Sequence, residues 1–244
     1  MSTGIAGKGS GYGEPSLVLN QGRTHRKMGH AFSERSGIKS NGGRVRMLYN
    51  ITISGKWMEG SEFLSVCSSD FLDAPTRMLL LSDGSLTLLL NASLLSSVRL
   101  QRLRQEEVSL DRDMAEYIEA EAGQTVIDRD VWLMNGEKRV VYANSILPTS
   151  LMSDEIYREI AKGDTPIGTL LSEQSILTRR DRLQIGRITS LEICRELGLP
   201  DTTVLWARRY RLHTEGGFKG AIIEVFSPKI FEGSHGKGKN QGLT

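Results

Sequence analysis

The stretch TVIDRDVWLMNGEKRVVYANSIL, residues 125–147, decides the fold. Two runs rich in β-branched and aromatic residues, 125–134 and 139–147, flank Asn135-Gly136, a dipeptide that supplies the positive backbone angles of a two-residue hairpin turn. The pair therefore reads as an antiparallel hairpin. Within the first run, period-2 alternation puts Ile127, Arg129, Val131 and Leu133 on one face, so an arginine shares the apolar side.

Working outward, the same reading gives a strand over 97–110, a short helical stretch near 115–123, a strand over 175–185, and two final strands over 204–213 and 220–227 joined through Glu215-Gly216-Gly217. Helices alternate with them. Ala74-Pro75-Thr76 opens one that runs to Leu81, and Asp83-Gly84-Ser85 caps a second through Leu90. Ser153 caps a third that ends at Gly163. Thr165-Pro166 reads as an N-cap with proline at the first helical position, and a further helix over 189–197 stops at Gly198 and Pro200. The expected fold class is α+β: a single antiparallel β-sheet of about six strands, meandering, with helices packed on one face.

The ends read differently. The first 45 residues are Gly- and Ser-rich, hold only Glu14 and Glu34 as acids, and carry scattered basic residues such as Arg23, Lys27 and Arg44. They hold too little apolar surface to offset the entropy of ordering, and they lack the apolar core of a secretory signal. Fragments of alternation in 47–71 suit an edge hairpin. The expected division is an N-terminal extension over 1–74, largely disordered, one domain over 75–232, and a flexible Gly/Lys-rich tail over 233–244.

Bulk properties narrow the function. Net charge is +2 with 25% charged residues, which gives no general pull toward nucleic acid or an anionic membrane. The longest apolar stretch, 78–95, is broken by Ser82-Asp83-Gly84-Ser85 and is too short to span a bilayer. Cys67 and Cys194 show neither CxxC nor Cys/His spacing, so no metal site is expected, and a reducing, cytoplasmic setting fits. No GxGxxG or P-loop follows a strand, which argues against nucleotide chemistry. Three of the four histidines, His25, His30 and His235, lie in the ends, which disfavours a histidine-based nucleophilic site.

What remains is a small set of polar residues in apolar surroundings. Glu224 is the one charge in Ala221-Ile222-Ile223-Glu224-Val225-Phe226, a run apolar on both faces. A carboxylate there needs a partner, so it is either half of a buried ion pair with an arginine or part of a site. The helix starts after Asp83-Gly84-Ser85 and Thr165-Pro166 direct amides outward, a use shared by plain capping and by anion binding. In Ala207-Arg208-Arg209-Tyr210-Arg211 the arginines alternate across a strand; Arg209 is taken as the inward supporting residue. Arg179 and Arg180 read as rim or surface residues, and Arg104 has no assigned role.

Five blocks, Ser82-Asp83-Gly84-Ser85-Leu86-Thr87, Thr165-Pro166-Ile167-Gly168, Ser175-Ile176-Leu177-Thr178-Arg179, the Ala207 to Arg211 block and Ile223-Glu224-Val225-Phe226, occur in the order and approximate spacing of the chorismate pyruvate-lyases. The chain resembles that family over about residues 75–231, most closely the 4-hydroxybenzoate-forming branch of actinobacteria and of cyanobacteria and plastids. The resemblance implies a lyase without cofactor that converts chorismate to 4-hydroxybenzoate and pyruvate. It implies that Arg129 binds a substrate carboxylate, that Glu224 handles the proton, and that backbone amides place Leu86 and Ile167 in the site. Acids on both sides of Arg129 could compete for it, a departure from the family. The other class considered is a non-catalytic binding domain for a small aromatic acid, related to the effector domain of GntR-type regulators; 1–45 cannot form the winged helix such a repressor needs.

Overall fold

The structure, a computed structural model, describes residues 45, 47–67, 72–150 and 152–230. Six long strands carry it: β3 (Arg99–Ser109), β4 (Thr125–Asn135), β5 (Lys138–Pro148), β6 (Thr178–Thr189), β7 (Leu205–Thr214) and β8 (Lys219–Phe226). Ahead of them come β1 (Thr52–Ile53), β2 (Met58–Glu59) and the helices α1 (Gly60–Val66), α2 (Ala74–Leu81) and α3 (Leu86–Leu94). Helices α4 (Arg112–Ile118), α5 (Asp154–Lys162), α6 (Ile167–Glu173) and α7 (Leu191–Glu196) lie between strands. The class is α+β, as the alternation pattern implies.

The sheet consists of two antiparallel meanders, β3-β4-β5 and β6-β7-β8, joined where β5 pairs with β8. Its order is β1-β6-β7-β8-β5-β4-β3, with β2 also on β6. Residues 47–67, read as part of the extension, are built onto this sheet. The anticipated edge hairpin does not form, because β1 and β2 each pair with β6 rather than with one another. Gly186 of β6 makes room for that layer: a Cβ there would lie 2.8 Å from the Trp57 ring and 2.9 Å from Ile53. The expectations for 1–44 and for the tail from 231 fall outside the described residues.

Two sequence readings are corrected in register. Asn135 pairs with Lys138, so the hairpin loop is Gly136-Glu137, not Asn135-Gly136; Gly136 takes the positive φ of 57°. The shift comes from an extra residue, Val140, between the partners of Leu133 and Met134. Pro166 is extended, with ψ 136°, and caps α6 from outside instead of occupying its first turn. Its carbonyl accepts from Thr169 and Leu170 N–H.

Helices cover both faces of the sheet, not one. One face packs under α1, α2, α3, α5 and α6. The other is closed by α4, α7, Val45 and the 47–57 segment over Trp132, Tyr142, Ile223 and Val225. The reason is visible in the strands: β4, β5, β7 and β8 are buried along nearly their whole length, and a sheet apolar on both sides needs two layers of cover.

An ion-pair cluster ties α4 to the second meander. Arg211 donates to both oxygens of Asp181 at 2.7 Å and to Glu119 at 2.6 Å, just past the end of α4. Burial pushes the Asp181 carboxyl up, but the hydrogen bonds from Arg211, with His213 Nε2 3.0 Å away, outweigh it and hold its pKa at about 2 against an ordinary 3.8. A depressed carboxylate contributes stability above its unfolded pKa and loses it as pH falls through the folded value. Asp181→Asn is expected to lower unfolding free energy by about 1–2 kcal/mol at pH 7, and that gap should close as pH drops from 4 to 2, measured by urea denaturation.

Candidate functional site

The site begins with the alternation of β4. Asp128, Arg129 and Asp130 are consecutive, so the two acids face one side of the sheet and the arginine the other. On the acid side Arg104 pairs with Asp128 at 3.0 Å and Asp130 at 2.6 Å, and Asn144 donates to Asp128 at 2.8 Å and Asp130 at 3.1 Å. Tyr142 and the Leu48 amide also donate to Asp130. The flanking acids are thus occupied elsewhere and do not compete for Arg129. This also gives Arg104 its role.

Arg129 is 2% exposed. Its Nη2 donates to the carbonyls of Gly163 at 2.9 Å and Thr165 at 3.1 Å, in the turn between α5 and α6. Its Nε is buried without a hydrogen-bond partner, and no carboxylate lies within ion-pair distance among the described residues. Burial, with nearby Arg102 adding repulsion and Asp164 offsetting it only in part, pushes its pKa down to about 10, which leaves it charged at neutral pH. A buried guanidinium with a spare donor suits an anion.

The cavity in front of Arg129 has a floor of strand residues, among them Val131, Ala143, Tyr210 and Glu224, and is flanked by Leu86, Thr87, Ile167 and Gly168 at the starts of α3 and α6. Those two helix starts approach closely: a Cβ on Gly168 would sit 3.3 Å from Ser85 Oγ. The Leu86 and Ile167 amides, first in their helices, have no intrahelical acceptor.

Glu224, 6% exposed, lines the same cavity. It does not come from a strand adjacent to β4: it is opposite Ala143, and Ala143 is opposite Val131, so β5 lies between. Two strand spacings and a two-residue offset separate the Arg129 and Glu224 Cα atoms by about 12 Å along the sheet. Glu224 is ion-paired with Arg208 Nε and accepts from the Tyr210 hydroxyl at 3.1 Å. Arg208 is fully buried and also donates to the carbonyls of Leu79 and Ser82 at the end of α2. Burial opposes its charge, but Glu224 outweighs it and holds the guanidinium pKa above the ordinary value. The two readings of Glu224, ion pair and cavity residue, therefore coexist.

Arg209 is a correction. It faces the opposite side of the sheet, donates to Gln184 Oε1 at 2.7 and 2.9 Å, and lies 4.5 Å from the Trp57 ring centroid. It does not line the cavity; Arg208 holds the inward place. Parity could not choose between them, since each face of β7 carries both arginine and apolar residues. Arg180, read as rim or surface, lines the cavity from β6, whereas Arg179 is exposed.

An antiparallel sheet and two helix starts thus enclose one cavity that holds a buried guanidinium outside any ion pair and a buried acid. The family described as chorismate pyruvate-lyase Rv2949c-like matches residues 80–233, and the chain belongs to it; it is a lyase of the chorismate pyruvate-lyase family. The chain is 27% identical over 175 residues to a Nitrosospira multiformis protein named "Probable chorismate pyruvate-lyase", covering 67% of this chain and 96% of that one. A Pseudoalteromonas translucida protein of the same name is 26% identical over 190 residues, covering 75% and 97%. PhnF from Mycobacterium smegmatis is similar in fold, with a TM-score of 0.50 at 14% identity over 61% of this chain and 66% of that one. That likeness concerns the fold alone.

If Arg129 is the anion-binding group, benzoate, which carries a single carboxylate, should bind the native protein. Arg129→Ala should weaken it at least about tenfold by titration calorimetry, the scale of one charge-assisted contact.

Proposed function

We propose that the chain converts chorismate to 4-hydroxybenzoate and pyruvate in this cavity, with Arg129 binding the ring carboxylate and Glu224 moving the proton. The observation that carries the reading is that a buried, unpaired guanidinium and a buried carboxylate share one cavity within a chain of this family. In the reaction the ether bond from ring carbon 3 to the enolpyruvyl oxygen breaks and the hydrogen on ring carbon 4 leaves as a proton. The electrons of that C–H bond complete the aromatic ring, and the released enolpyruvate takes up a proton at its methylene carbon to become pyruvate.

Aromatisation supplies the driving force, so the demands on the protein are orientation and one proton transfer. Arg129, held through Nη2 by the Gly163 and Thr165 carbonyls, presents its remaining donors to a carboxylate in a fixed direction. The Leu86 and Ile167 amides add donors at the cavity wall. Glu224 lies toward the far end of the floor, where the ring hydroxyl and carbon 4 would fall. Its ion pair with Arg208 fixes the carboxylate in place, and the Tyr210 hydroxyl orients it toward the cavity. The apolar walls, Val131, Leu133 and Ile222, match the ring.

Incubation of the purified protein with chorismate is expected to yield equimolar 4-hydroxybenzoate and pyruvate, undiminished by EDTA, as read by chromatography. Glu224→Gln should lower kcat about 100-fold or more with little change in 4-hydroxybenzoate affinity, while Arg129→Ala weakens both. Binding of chorismate without any aromatic product would favour instead a non-catalytic binding domain of the GntR-effector kind, and normal turnover by Glu224→Gln would remove that residue from the proton transfer.

A further inference from the structure

The charges around the cavity do not balance. Glu224 is compensated by Arg208, but two guanidinium groups on the lining are in no ion pair among the described residues: Arg129, which Asp164 offsets only at longer range, and Arg180. Arg180 stands on β6 opposite Leu212 of β7, another cavity residue, which places its side chain on the cavity face. Its Nη1 donates to the Asp83 carbonyl, just before α3, and its guanidinium carbon lies 5.3 Å from the Tyr210 ring centroid. Its Nε is buried with no hydrogen-bond partner. Its neighbour Arg179, by contrast, is 75% exposed and turned toward Asp181 at 3.8 Å.

Arg180 is therefore stacked on an aromatic ring, tethered at one nitrogen and left with an unused donor beside an anion-binding cavity. Each of these cations has lost part of its hydration on a partly enclosed cavity without an ion pair to offset it, and a single dianion spanning the two would relieve both. Chorismate is a dianion, with one carboxylate on the ring and one on the enolpyruvyl side chain; each product keeps one. Resting on the proposed lyase reading, we infer that Arg180 binds the enolpyruvyl carboxylate while Arg129 binds that of the ring, so that the pair selects the dicarboxylate substrate over monocarboxylates. Tyr210 connects the two halves of the floor, since its ring packs beneath Arg180 and its hydroxyl bonds to Glu224.

The experiment compares Arg180→Met, Arg180→Gln and Arg180→Lys with the native protein, measuring KM for chorismate and the dissociation constant of 4-hydroxybenzoate. Loss of the charge in the Met and Gln variants is expected to raise KM about ten- to a hundredfold, with 4-hydroxybenzoate affinity changed less than about threefold and partial recovery in the Lys variant. Equal losses for substrate and product, or none for either, would overturn the assignment. So would a loss confined to Met, because Gln keeps a donor for the Asp83 carbonyl and that result would mark the contact as merely structural. Should the native protein form no 4-hydroxybenzoate, the lyase reading fails on its own. The dianion preference is then read from calorimetric affinities for chorismate and benzoate, where no greater effect of Arg180→Met or Arg180→Gln on chorismate would overturn it.

Discussion

The structure depends on three consecutive residues that must point in opposite directions. Asp128 and Asp130 belong to one face of β4 and Arg129 to the other, and each side has its own solution to buried charge. The acids are satisfied internally by Arg104, Asn144 and Tyr142. The arginine is satisfied only in part, by two carbonyls, and keeps its charge facing a cavity. A one-residue slip of β4 would exchange these environments, placing two carboxylates in the cavity and an arginine beside Arg104. The register of this strand is therefore both a folding constraint and the origin of the site.

The two-sided cover of the sheet follows from the same constraint. The acid network lies under the 47–57 segment, where the Leu48 amide reaches Asp130 and Tyr49 packs against Trp132 and Tyr142, with ring centroids 6.4 and 5.0 Å away. On the cavity side, the chain leaves β5, passes through α5 and α6, and brings the Gly163 and Thr165 carbonyls onto Arg129. Arg208 plays the corresponding part at the other end of the floor, joining Glu224 to the carbonyls that end α2. Both arginines thus hold helix connections against the sheet, and the residues that define the cavity also hold its walls in place.

Much of this was legible beforehand. The hairpin, the α+β class and the apolar face of β4 that Arg129 shares follow from period-2 alternation and the turn dipeptide, and the capped start of α3 follows from Ser85, whereas α6 starts one residue later than the Thr165-Pro166 pair implied. The choice of arginine in β7 was not legible. Arg208 and Arg209 differ by one residue, both faces of the strand are buried, and the hydrophobic pattern has the same strength on either side. Nor was the place of Arg180, because its side chain leaves an edge-proximal strand whose exposed pattern resembles surface. Register at the hairpin moved by one residue because a bulge inserts Val140, a feature that depends on the partner strand.

By itself the sequence determined the six long strands, the faces of β4 and β8, a lone carboxylate in the apolar run of β8 and a guanidinium on the apolar face of β4. These are properties of local periodicity, carried by each segment alone. Only the tertiary structure decided which arginine neutralises Glu224, that β5 separates Glu224 from Arg129, and that a second unpaired arginine joins them at one cavity. Pairing of buried charges depends on strand order and on how the sheet curls, and neither is encoded within reach of a single segment.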